Sequence, residues 1–268
     1  MPIIISIETA TVDGSITISN GSELIYSSKC GSSTESLSPT LLPAINTALQ
    51  ISGLGLDQID LFAATTGPGS FTGLRIGLAT IKALAATLDK PCASVPSLHA
   101  VALSTFATGA VDAVDGSRWT VPLLRAGRGE VFVQSLIIRE GNIVTELSSP
   151  LHLPLSEVLE QLALKEHSIL FAGPAAIQMA EQIESFARTK SIDFFREKDS
   201  QSFGQSISWV LAEAMRGNLS DYVAKIAHQI YLEQAHVAAE GIQAIYVRPS
   251  DPELKDRFIA GKKDDRKL

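Results

Sequence analysis

The sequence predicts an α/β fold built as two units, each a mixed sheet with flanking helices. Three observations carry that expectation. Strand-like and helix-like periods alternate through residues 1–110; the alternation stops at a stretch of Thr, Gly, Asp and Ala over residues 107–117; and new strands followed by helices begin after it. The boundaries expected are therefore 1–110 for the first unit, 111–250 for the second and 251–268 for a charged, disordered tail. That tail holds five acidic and six basic residues and almost nothing apolar.

Each element has a local reason. Residues 3–7 are β-branched and apolar, 15–19 alternate with Ile16 and Ile18 on one face, and 23–27 follow the turn residues Asn20-Gly21, which reads as strand, hairpin, strand. Leu41, Leu42, Ile45, Ala48 and Leu49 recur at helical spacing over 36–52, with Ser38 as the expected cap, Pro39 in the first turn and Pro43 as a kink or restart. A strand over 59–66 and an apolar helix over 71–88 flank the segment Gly67-Pro68-Gly69-Ser70-Phe71-Thr72-Gly73-Leu74-Arg75-Ile76-Gly77. A strand at 92–95 and a helix from Pro96-Ser97 complete the unit.

In the second unit, strands are expected at 119–124 and 130–138 around Gly127-Arg128-Gly129, and at 142–146. Helices are expected at 156–164, 175–188 with Ile177, Ala180 and Ile183 inward, 206–216 and 221–239. A buried strand is expected at 168–171, Gly217 ends one helix and Ser220 caps the next.

Bulk properties exclude several functions. A net charge of −7 argues against a nucleic-acid surface of this chain's own, since phosphate binding needs clustered Lys and Arg. Cys30 and Cys92 read as free thiols, and the opening Met-Pro-Ile-Ile-Ile-Ser lacks the basic start of a signal peptide, so the reading is cytoplasmic with no membrane span. The Walker phosphate loop and the Gly-x-Ser-x-Gly elbow are absent. The five histidines offer no pair at i and i+4 and no neighbouring cysteine, so no metal is expected.

Two candidate sites remain. Glu8 and Thr9 follow the first strand, while Gly67, Gly69 and Ser70 turn into a helix N-terminus; together they either cradle an anion or form a tight structural corner. The other is the pair of helices over 36–52 and 71–88. The first has no charged residue and the second only Arg75 and Lys82, so each must be covered on more than one side, by this chain or by a partner. Leu41, Leu42, Ile45, Leu49, Arg75, Leu78 and Lys82 are the partner-binding candidates, with small Gly73, Gly77, Ala83 and Ala85 permitting close approach.

With Ile-Glu-Thr-Ala-Thr after the first strand, the glycine segment, Ser94-Val95-Pro96-Ser97-Leu98 and Gly127-Arg128-Gly129-Glu130-Val131-Phe132, the chain resembles the TsaB (YeaZ) family over residues 1–135. Beyond that, Tyr246-Val247-Arg248 is similar to the family's terminal motif. The resemblance implies two actin-like, Hsp70-like and sugar-kinase-like (ASKHA) subdomains and a role in tRNA threonylcarbamoyladenosine synthesis. It implies a required, non-catalytic partner of a TsaD-like subunit that transfers threonylcarbamoyl to an adenosine beside the anticodon. A TsaE-like ATPase, a homodimer of the isolated chain and tRNA met only through the complex are also implied. No cofactor is expected on this chain alone, and the interface with the partner is the one place left open for a nucleotide. Glu8 stands for the family's Asp, Glu35-Ser36 for His-Ser and Arg125 for another Asp, which argues against nucleotide contact at those positions. The rival is a small-molecule kinase or ATPase of the same fold, with Glu8 and Thr9 on magnesium phosphate. A peptidase is supported by no nucleophile and base spacing.

Overall fold

The computed structural model describes residues 1–31, 37–106, 118–127, 129–139, 143–165, 167–197 and 207–247. Its first sheet contains β1 (Ile3–Glu8), β2 (Ser15–Asn20), β3 (Glu23–Lys29), β4 (Leu61–Gly67) and β5 (Cys92–Pro96), in the order β3-β2-β1-β4-β5. The first three strands form an antiparallel meander. Strands β4 and β5 run parallel to β1, with α1 (Leu37–Ser52) and α2 (Phe71–Leu88) in the crossovers.

Both faces of this sheet are covered. Ile5, Ile7, Ile16, Ile18, Phe62 and Ala64 lie under Leu41, Ile45 and Ala48 of α1 and Leu78, Ile81 and Ala85 of α2. On the opposite face, Ile4, Leu61, Ala63 and Val95 meet α3 (Ser97–Phe106) and α7 (Leu219–Leu232). The sequence order places residues 219–232 in the second unit, yet α7 returns to pack on β1, β2, β4 and β5.

That return explains the polar face of β2. Thr17 Oγ1 donates to Asp221 Oδ1 at 2.6 Å and lies 2.7 Å from Ser220 Oγ, while Ser15 Oγ accepts from the Ser220 amide at 3.1 Å. Asn218 is the N-cap of α7, so Ser220 sits inside the first turn and bonds to the sheet instead of capping. Helix α1 likewise starts at Leu37, which puts Ser38 within its first turn. Pro43 lies inside one continuous helix, on the exposed face, where the Pro39 carbonyl that loses its donor is open to water.

The second sheet runs β10 (Leu151–Pro154), β7 (Glu130–Val133), β6 (Arg118–Gly127), β11 (Ile169–Ala172), β13 (Ser208–Leu211) and β12 (Asp193–Arg196). Strand β8 (Leu136–Arg139) also pairs with β6, and β9 (Ile143–Glu146) with β8. Helices α4 (Leu155–Ala163), α5 (Pro174–Gln178) and α6 (Ala180–Thr189) cover one face, and α3 lies on the other, shared between the two sheets.

Several expected elements differ. The helix over 206–216 is instead an interior strand, β13, paired with β11 and with the edge strand β12, its Trp209 wholly buried between Phe171 and Phe186. A short apolar run has no period that separates a buried strand from a buried helix, and pairing on both sides decides it. The strand over 130–138 is split at residues 134 and 135, between the pairing of Val133 with Leu123 and that of Leu136 with Thr120. The Ser135 amide donates to Ser148 Oγ instead. The helix over 175–188 breaks at Met179, which turns Ile177 outward while Ala180 and Ile183 stay buried. The helix over 221–239 stops at Leu232, where Gln234 turns left-handed and the Ala235 amide bonds to the Ile230 carbonyl. Val237 then bridges to Cys92 and covers the β5 edge. The expected junction at 107–117 and the tail at 251–268 lie outside the described residues.

One contact between the sheets is titratable. His99 on α3 places Nε2 2.9 Å from Glu146 Oε1 on β9. Burial holds the imidazole below its ordinary pKa, against the pull of Glu146. The unfolded chain therefore binds the proton more readily, so this contribution to stability is full above about pH 6.5 and is lost as pH falls through the lowered folded value. Thermal melts of His99→Gln are expected to show a shallower loss of Tm below about pH 6.5 than the parent; equal slopes would remove His99 as the cause.

Candidate functional site

The glycine segment forms a corner closed by its own chain. Ser70 caps α2 by accepting from the Gly73 amide at 3.2 Å, and its own amide donates to the Ala10 carbonyl at 2.8 Å. The loop after β1 thus lies directly on the start of α2. A Cβ at Gly69 would come within 2.6 Å of Ala10, one at Gly73 would land on the Thr9 carbonyl oxygen, and one at Gly77 on Thr9 Oγ1. Glycine is required here because two backbones touch. Gly67 has φ +110° and its open side faces the Ile245 carbonyl, beside the 2.7 Å bond from the Ile245 amide to the Thr66 carbonyl.

Glu8 is buried and turned onto its own loop. Its two carboxylate oxygens accept from the Thr11 amide and hydroxyl, each at 2.7 Å. Burial nevertheless raises its pKa, with the Thr11 bonds opposing. Thr9 Oγ1 is buried with no hydrogen-bond partner among the described residues, and the Thr9 amide is held by Thr65 Oγ1 at 3.3 Å. The structure thus brings Glu8, Thr9, Gly69 and Ser70 together, with Gly67 alongside, as the corner reading requires. Thr9 and Ala10 lie where side chains at Gly69, Gly73 and Gly77 would go, so the glycines serve the close approach of two chain segments, and Ala10, Thr11, Gly69 and Ser70 also line an open cavity. Among the described residues no three of His, Cys, Asp and Glu gather where they would hold a metal ion.

The helix pair sorts the partner candidates by face. Leu41, Ile45 and Leu78 are buried against the first sheet, so these three hold the helices to this chain, while Leu49 is half-buried on the same core. This corrects their assignment as contacts. Their apolarity signals a stripe, and the stripe's direction is set by the sheet beneath it. Leu42 is 57% exposed, Arg75 is exposed with its guanidinium 3.8 Å above the Phe71 ring, and Lys82 is half-buried. Of the four small residues expected to permit close approach, Gly73, Gly77 and Ala85 face inward and Ala83 is exposed.

An outer face remains. Helices α1 and α2 lie side by side, and α1 exposes Leu42, Asn46, Thr47 and Ile51. Beside them α2 exposes Thr72, Arg75, Ala79, Ala83 and Ala86. Sequence reasoning missed most of these residues, although the lack of charge in residues 36–52 was their signal. By length and composition α2 passes as a membrane span, but here its apolar stripe is laid on β4 and β5 as a core helix.

The sheet order, with a three-stranded meander extended by parallel crossovers, and the self-filled glycine corner define a two-lobed α/β protein of the actin-like, Hsp70-like and sugar-kinase-like class. A solved structure, YeaZ from Pseudomonas aeruginosa, superposes on 92% of this chain and 100% of its own length, with TM-score 0.68 at 19% identity. The tRNA threonylcarbamoyladenosine biosynthesis protein TsaB of Haemophilus influenzae is 37% identical over 111 residues, 37% of this chain and 47% of that protein. TsaB of Bacillus subtilis is 30% identical over 150 residues, 56% of this chain and 61% of that protein. A tRNA N6-adenosine threonylcarbamoyltransferase of Geotalea uraniireducens is 26% identical over 220 residues, 78% of this chain and 62% of that protein. The chain thus spans less than two thirds of the length of each of these curated relatives. The family model described as TsaD, tRNA N6-adenosine threonylcarbamoyltransferase, matches residues 32–247. The chain belongs to that family, and within it shares the TsaB (YeaZ) resemblance.

Proposed function

We propose that this chain is a non-catalytic subunit required for threonylcarbamoyl transfer to the tRNA adenosine beside the anticodon, and that it binds and stabilises a TsaD-like catalytic subunit. The observation that carries this reading is the outer face of α1 and α2, where two adjacent helices expose only one full charge, Arg75, amid small, polar and aliphatic residues. Such a face lacks the charged cover of a solvated helix, and an interface on the order of 1,600 Å² is within reach of two helices of 16 and 18 residues. Residues 1–110 supply it. The same face serves a homodimer of the isolated chain, so the TsaD-like subunit and a second copy compete for it. A TsaE-like ATPase joins the assembled pair, tRNA is met through the complex in the cytoplasm, and any nucleotide is held with the partner at their interface.

The Glu8 carboxylate, already bonded to the Thr11 amide and hydroxyl, speaks against the rival small-molecule kinase or ATPase. Reconstitution tests the reading. Chain, TsaD-like subunit and tRNA with threonylcarbamoyl-adenylate are expected to yield the modified nucleoside by mass spectrometry, whereas this chain without the other subunit yields none. Full transfer by the TsaD-like subunit alone, or transfer by this chain alone, would end it.

A further inference from the structure

We propose that the cleft between the two sheets is a binding site for a small apolar molecule carrying one negative charge. A cavity of about 620 Å³ opens there, inside the range of roughly 300–1,000 Å³ typical of small-molecule sites. Its walls are more apolar than polar, come from both lobes and also include Thr11, Asp13, Ser70, Arg125 and Gln178. Phe71 and Leu74 stand on α2, Leu124 and Phe132 on β6 and β7, and Met215 and Tyr246 on the segments around α7.

At the mouth the Phe71 and Tyr246 rings lie 5.6 Å apart and are 45% and 53% exposed, so a sizeable aromatic surface stands uncovered beside a preformed hollow. The charge balance is simple. Asp13, the acidic group of the lining, is ion-paired with Lys29, whereas Arg125 has no partner among the described residues. Among the described residues the lining therefore offers one cation without a partner, Arg125, beside apolar side chains. An apolar body removes aromatic surface from water, and an anionic end satisfies the guanidinium. The inference does not depend on the outer face of α1 and α2, and either can fail without the other.

Two dyes that differ by the charge test it on the full-length chain: anilinonaphthalene sulfonate and its uncharged counterpart N-phenylnaphthylamine. Fluorescence titration is expected to give one saturable site for the anionic dye. Arg125→Gln, a change at an exposed position, is expected to weaken the sulfonate by about fivefold and leave the neutral dye unmoved, the scale of a partly solvated charge-assisted contact. Ala126→Phe, which fills the cavity, is expected to weaken both, with circular dichroism and Tm reporting that the chain stays folded. An anionic dye insensitive to Arg125→Gln, either dye insensitive to Ala126→Phe in a folded protein, or displacement by micromolar magnesium-ATP would each overturn the assignment.

Discussion

Ala79→Asp is expected to abolish co-purification with the TsaD-like subunit while leaving the isolated chain as stable as the parent. Ala79 is exposed on the outer face of α2, so the free protein keeps the new carboxylate in water. Docking would strip that water away against an apolar partner surface. Desolvating an unpaired charge costs several kcal/mol, and about 1.4 kcal/mol is tenfold in affinity, so association should fall by at least about a hundredfold. Leu42→Asp on α1 is expected to act the same way, because Leu42 is outward too. Leu78→Asp, one residue away, serves as contrast. Leu78 is buried on the first sheet, so that change should unfold the lobe and lose the complex for a structural reason. Pull-down and sedimentation, read beside Tm, separate the two outcomes. Intact complexes with Ala79→Asp and Leu42→Asp would move the interface elsewhere.

Gly77→Ala is expected to destabilise the chain by roughly 2 kcal/mol, against the usual sign for a helix interior. In an ordinary helix the exchange gains about 1 kcal/mol, because glycine loses more backbone freedom on folding. Here the added methyl meets Thr9 Oγ1 and lies 3.1 Å from Thr9 Cγ2. The loop cannot retreat easily, since the Ser70 amide holds the Ala10 carbonyl at 2.8 Å and Thr65 holds the Thr9 amide. Gly73→Ala should cost more, its methyl being aimed at the Thr9 carbonyl, which is backbone and cannot rotate away. Urea midpoints measure both. A raised midpoint for either would show that the loop and α2 are not in this contact.

The two cases divide what could be read from residues from what could not. Helix α2 was legible to its ends, because its apolar spacing, its Ser70 cap and the glycines before it are local signals, and the structure places it at Phe71–Leu88. The same letters did not say what the glycines face. Gly73 and Gly77 look like openings for a partner, and in the fold they receive Thr9, which is more than sixty residues earlier. Leu41, Ile45 and Leu78 were rightly read as a stripe and wrongly turned outward, because periodicity gives a helix two faces without saying which one meets the sheet.

By itself the sequence determined that this chain is α/β, where most of its first five strands and three helices fall, that a glycine corner links β4 to α2, and that two helices lack charge. Those are local properties of propensity, period and capping. Only the tertiary structure decided that residues 208–211 are a strand paired on both sides, that α7 returns to the first sheet to meet Thr17 and Ser27, that Thr9 and Ala10 lie against the glycines of the corner, and which side of α1 and α2 stays open. Each of these depends on contacts between residues far apart in the chain, whose pairing no short window of sequence contains.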